Sequence, residues 1–79
     1  MTTDMKSVIT VNTEDKDIIR VKGLKPKDFI RVYGTTGVLA VQKEARADNE
    51  LLRTAVNGTV VVEVTRDGKQ VAVSKIAVR

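Results

Sequence analysis

Two valine-rich runs around Asp67-Gly68 constrain this chain more than any other feature. Asn57 to Arg66 reads N-G-T-V-V-V-E-V-T-R, and Lys69 to Arg79 reads K-Q-V-A-V-S-K-I-A-V-R. An Asp-Gly pair between β-branched runs specifies a tight hairpin, because a type I′ turn needs φ > 0 at both central residues. The domain is therefore expected to end inside a sheet, with no trailing tail or helix. A terminus held that way is a surface that another molecule can read.

The rest of the chain keeps the same period of two. Val8 to Val11 reads as a short strand that stops at the polar cluster Asn12 to Asp17. In Ile18 to Lys22, Ile19 and Val21 share one face while Arg20 and Lys22 share the other. Gly23 to Asp28 is a turn: Pro26 lacks a donor N–H and biases Lys25 away from helix, so the segment crosses between strands. Phe29 to Tyr33, Val38 to Gln42, Glu50 to Thr54, Thr59 to Thr65 and Lys69 to Val78 complete a set of seven strands. Gly34-Thr35-Thr36-Gly37 joins two of them as a hairpin loop, and Ala45 to Asn49, despite some helical propensity, lacks an amphipathic stripe and reads as a connection.

Strands spaced roughly ten residues apart with turn chemistry between them predict an all-β sandwich or small barrel. The expected core is Ile19, Val21, Ile30, Val32, Leu39, Val41, Val60, Val62 and Val64. On the last strand Val71 and Val73 share one parity while Ile76 and Val78 share the other. Either a bulge near Ser74-Lys75 resets the phase and turns Lys75 outward, or both faces are buried there.

At 79 residues the chain is one domain, spanning 1–79, with Met1 to Met5 either native or an expression leftover outside the fold. It contains neither Cys nor His, so it has no disulfide or thiolate metal site and no Ser-His or Cys-His nucleophile pair. The expectation is no enzyme, no catalytic residue, no bound metal and no cofactor. The net charge of +4 raises the question of nucleic acid, but the Lys and Arg residues are scattered and only Phe29 and Tyr33 offer aromatic faces. No nucleic-acid partner is expected.

Three further motifs have ordinary structural readings. Asn57-Gly58-Thr59 matches a glycosylation sequon, but such triplets are common by chance and Asn-Gly is already explained as a turn entering a strand. The Gly34 to Gly37 loop has no helix after it to make a phosphate cradle. Lys22, Lys25 and Lys27 gather beside Pro26, where a solvated turn accounts for them.

Several segments in order carry a resemblance. Ile30-Arg31-Val32-Tyr33 with Gly37-Val38-Leu39, then Gly58 with Val60, Val61 and Val62, then the ending Lys75 to Arg79, are similar to the C-terminal sorting domain of type IX secretion cargo proteins of Bacteroidetes. The likeness covers Ile18 to Arg79. It implies an Ig-like β-sandwich of about seven antiparallel strands that carries no catalysis. Such a domain delivers an attached cargo through the outer-membrane translocon, and a surface sortase removes it. The product would be secreted or held at the cell surface after crossing the periplasm and outer membrane. The residues implied for translocon or sortase recognition are Gly58, Asp67, Gly68, Lys69, Lys75 and Arg79. Edge strands leave homodimerisation open. The competing readings are a structural or adhesion Ig-like module, such as a phage decoration domain, and a small basic nucleic-acid binder on an OB-like barrel.

Overall fold

Alternation in the sequence becomes alternation in burial. The computed structural model describes residues 8–15, 17–54 and 58–78. Among them are seven strands: β1 (Thr10–Asp15), β2 (Ile18–Lys22), β3 (Phe29–Tyr33), β4 (Leu39–Glu44), β5 (Asn49–Arg53), β6 (Gly58–Arg66) and β7 (Lys69–Val78). All pairings are antiparallel, and the described residues include no helix. A three-stranded sheet ordered β1-β2-β5 faces a four-stranded sheet ordered β4-β3-β6-β7. This is an Ig-like sandwich in which the fourth strand pairs with the third, leaving β5 to close the smaller sheet.

The core is the set of inward rows of the two sheets. Ile19 lies opposite Leu52 in the smaller sheet, while Ile30 lies opposite Val64 and Val32 opposite Val62 in the larger one. These residues, with Val21, Val60 and Val78, are buried, and Leu24 and Ala45 cap the end from two connections. Burying each such aliphatic side chain contributes about 1.5–3 kcal/mol, the main favourable term for a domain without disulfides.

Three expectations need correction, and a bulge is involved in each. The polar run after Val11 does not end the first strand: β1 continues to Asp15, pairing Asn12 with Arg20 and Thr13 with Ile19. An edge strand needs only its backbone to pair, so polar side chains do not stop it. Glu14 is the extra residue between the Thr13 and Asp15 pairs, and it uses that freedom to bridge Arg20 at 2.9 Å. Leu39 is not core. Ala40 is the extra residue between the Val32–Val41 and Tyr33–Leu39 pairs, which sends Leu39 to the outer face at 43% exposure.

The third correction concerns β7. Its ladder with β6 is unbroken from Gly58–Val78 to Val64–Ala72, and the irregularity falls at Val71, beside the turn. Nothing resets the phase at Ser74-Lys75. Ala72, Ser74, Ile76 and Val78 therefore face inward, while Val71 and Val73 stand 43% and 54% exposed.

Gly23 is required by space as well as by conformation. Its φ is +87°, and a Cβ there would run into the carbonyl of Val8. Its N–H and that of Leu24 both donate to the Asp48 carbonyl, at 2.9 and 3.1 Å, so the crossing between sheets is tied to the β4–β5 connection. That connection is shaped by Glu50, whose carboxylate accepts from the N–H groups of Arg46 (2.7 Å) and Ala47 (3.2 Å).

Ile30→Ala should lower stability by about 2–5 kcal/mol, whereas Val73→Ala at its outward position should stay within about 0.5 kcal/mol of the parent. Urea midpoints by circular dichroism check both. A large loss at Val73 would contradict its outward placement.

Candidate recognition edge along the final strand

The β6–β7 hairpin turns at Asp67 and Gly68, with φ values of 56° and 77°. These are the paired positive values of a type I′ turn, which aspartate tolerates and glycine adopts freely. Arg66 and Lys69 form the last pair before it. Gly58 opens β6 opposite Val78, and its φ is +98°.

The hairpin is locked at its base by an ion pair absent from the sequence reading. The Arg66 Nε donates to Asp28 Oδ1 at 2.9 Å and its Nη2 to Asp28 Oδ2 at 2.7 Å. The Lys25 N–H also donates to Asp28 Oδ2, at 2.9 Å. Asp28 is 1% exposed, so its charge survives burial only because both oxygens are satisfied. The Arg66 guanidinium holds the Asp28 carboxyl below its ordinary value, and the Lys25 N–H adds to that against the opposing effect of burial. No local pattern reveals the pair, since its members lie 38 residues apart.

The Asp28 turn is strained. Lys25 to Asp28 closes with an Asp28 N–H to Lys25 carbonyl bond of 3.0 Å, and Lys27 takes a φ of 78°. With Pro26 in the second position this is type II geometry, which usually places glycine where Lys27 sits. Lys22, Lys25 and Lys27 are all exposed, as expected of a solvated turn.

The sequence-derived recognition residues do not converge on one pocket. Asp67, Gly68 and Lys69 lie at one end of β7, Gly58 lies near the other, and Lys75 is between them on the outward row. At about 3.3 Å per residue, the ten-residue strand spreads them along roughly 30 Å. Arg79 and Asn57 fall outside the described residues. The site is thus a ribbon. It stands at the edge of the four-stranded sheet, and among the described residues no strand pairs with its outer side.

Outward side chains of the larger sheet surround that ribbon. Lys75 lies opposite Val61, which lies opposite Tyr33; Val73 lies opposite Glu63, which lies opposite Arg31. The Tyr33 hydroxyl donates to Glu63 Oε1 at 3.3 Å, Arg31 donates to the Thr65 hydroxyl at 3.3 Å, and the Arg31 guanidinium sits 5.3 Å from the Phe29 ring centre. The Phe29 ring and the Tyr33 hydroxyl are therefore engaged by neighbours on their own sheet. Among the described residues, no cluster of three or more carboxylates could hold a metal ion.

Comparison with known proteins returned no matching family model, no matching curated protein and no matching solved structure.

Because the Asp28 pKa is lowered in the folded state, its contribution to stability is complete above the ordinary aspartate value near 3.9 and is lost as pH falls through the lowered one. The urea midpoint should be level from about pH 7 to 5 and fall below about 4. Asp28→Asn should flatten part of that fall. At pH 7, Arg66→Ala should cost about 3 kcal/mol by leaving a buried charge unpaired. An acid profile unchanged in Asp28→Asn would refute this assignment.

Proposed function

We propose that this domain is a non-catalytic sorting module that acts by displaying β7, and that a type IX outer-membrane translocon reads it on behalf of an attached cargo protein. A surface sortase then releases the cargo, which ends outside the cell or on its surface. One observation carries the reading: the ten-residue β7 stands at the edge of the larger sheet with Lys75 exposed. A translocon that serves many cargoes has to recognise a folded module without regard to what is attached. A sheet edge suits that task, because backbone groups give affinity while alternate side chains give specificity. The Asp28–Arg66 pair supports the same reading by holding the base of the β6–β7 hairpin rigid.

One feature favours the nucleic-acid reading: Phe29, Arg31 and Tyr33 share the outward face of β3. Glu63 stands beside them and accepts the Tyr33 hydroxyl, so a carboxylate occupies the place where a phosphate chain would run. The structural or adhesion reading uses the same sandwich and assigns no role to Lys75.

Fusing the domain to a periplasm-targeted reporter in a type IX-competent cell separates these readings. The parent fusion should reach the medium or cell surface. Lys75→Glu should reduce export by about tenfold, the factor expected for roughly 1.4 kcal/mol of lost interaction. Folded fusion retained in the periplasm, or export indifferent to Lys75, would sink the sorting reading.

A further inference from the structure

We propose that β7 accepts an added antiparallel strand along its unpaired edge, and that the added strand is an acidic extended segment with a carboxylate facing Lys75 and a valine two residues along. The inference rests on the reading of β7 as the recognition strand and supplies the chemistry of its partner.

Strands of the two sheets come close on both lateral flanks, β4 beside β5 and β1 beside β7, but the flanks differ in chemistry. On the β4–β5 flank, the Lys43 ammonium reaches across the gap between sheets to the Glu50 carboxylate at 2.9 Å and the Leu51 carbonyl at 3.3 Å. That bridge fastens one sheet to the other there, whereas β7 is near β1 without pairing with it. Among the described residues, β7 is also the longest edge strand, with ten residues against six in β1, six in β4 and five in β5. Alternate N–H and C=O groups of an edge strand project away from its single partner, so β7 offers several such pairs in a row.

The side chains beside those groups select the occupant. The outward row of β7 is Val71, Val73, Lys75 and Ala77, and its inward row includes half-buried Ser74 and Ile76. From Lys69 to Val78 there are two lysines and no acidic residue. A neutral apolar strand added here would take water from the Lys75 ammonium and return nothing, which is how an edge lysine guards against indiscriminate pairing. A second copy of β7 fares no better, because no register of this strand against itself supplies a carboxylate. A strand with glutamate opposite Lys75 and valine two residues along, opposite Val73, satisfies both positions.

The test titrates the full chain with an eight-residue amidated peptide of threonine and serine that carries glutamate and valine two residues apart. A second peptide has lysine in place of the glutamate. Amide shifts in the nuclear magnetic resonance spectrum locate binding, and calorimetry measures it. The glutamate peptide should perturb β7 and bind about tenfold more tightly than the lysine peptide, the factor given by roughly 1.4 kcal/mol. Lys75→Glu should invert the preference, and N-methylation of the peptide amides facing β7 should abolish binding. Equal binding of both peptides, no binding of either, tolerance of N-methylation, or a chain that sediments as a dimer through β7 overturns the proposal.

Export of the same variants keeps the two ideas apart. If Lys75→Glu blocks export but no peptide binds, strand addition fails and the sorting reading survives. If the peptides behave as stated while export ignores Lys75, strand addition stands and sorting falls.

Discussion

The contact between Asp28 and Arg66 organises one end of this sandwich. A carboxylate removed from water needs a partner for each oxygen. Here, the two N–H groups of one guanidinium and the N–H of Lys25 supply them. Around that point three connections meet. The Asp28 carbonyl accepts from the Ala45 N–H at 2.7 Å, the Lys27 N–H donates to the Ala45 carbonyl at 3.0 Å, and Arg66 leads directly into the Asp67-Gly68 turn. The crossing from β2 to β3, the link from β4 to β5 and the last hairpin are thus held together. A buried ion pair is weak support for net stability, since desolvation offsets much of its attraction. Its stronger effect is on alternatives, because any arrangement that separates the two residues leaves a charge stranded.

That anchoring bears on function through the position of β7. The strand leaves a turn whose base is fixed and runs along the edge of the larger sheet, near β1 but not paired with it. The opposite flank is bridged by Lys43 and Glu50, where the N–H of Arg46, then the Lys43 ammonium and the N–H of Ala47, hold the Glu50 carboxyl below its ordinary value against the effect of burial. An ion pair on one flank and a ten-residue edge strand on the other give the module two chemically different sides. The rigidity is inexpensive in sequence terms, because it comes from a few charged residues and the valines of β6.

Most strands were legible from the amino acids. Ile18–Lys22, Phe29–Tyr33 and Lys69–Val78 appear where alternation places them, and Asp67-Gly68 adopts the paired positive φ values that its turn type demands. Bulges lie close to each of the misread segments. Glu14, Ala40 and Val71 are each inserted residues that shift the phase of a ladder, and a phase shift reverses which side chains face the core. Leu39 carries its apolar side chain into water for that reason, whereas Val73 faces out from an unbroken stretch of ladder, so hydrophobicity alone misassigned Leu39 and left β7 ambiguous. The residues proposed for recognition were legible as a hairpin and a basic strand. Their dispersal along a ribbon was not, because spacing along a chain says nothing about which strand ends a sheet.

Local chemistry determined the class of fold: period-two patterning, the Asp-Gly turn, the donorless Pro26 and the absence of Cys and His leave an all-β domain without the usual catalytic groups. Tertiary structure decided the order of strands, the edge position of β7 and the partnership of Asp28 with Arg66. Those depend on contacts between residues distant in sequence. Each is selected by the free energy of the whole packed arrangement, through burial of apolar rows and the high cost of an unpaired buried charge.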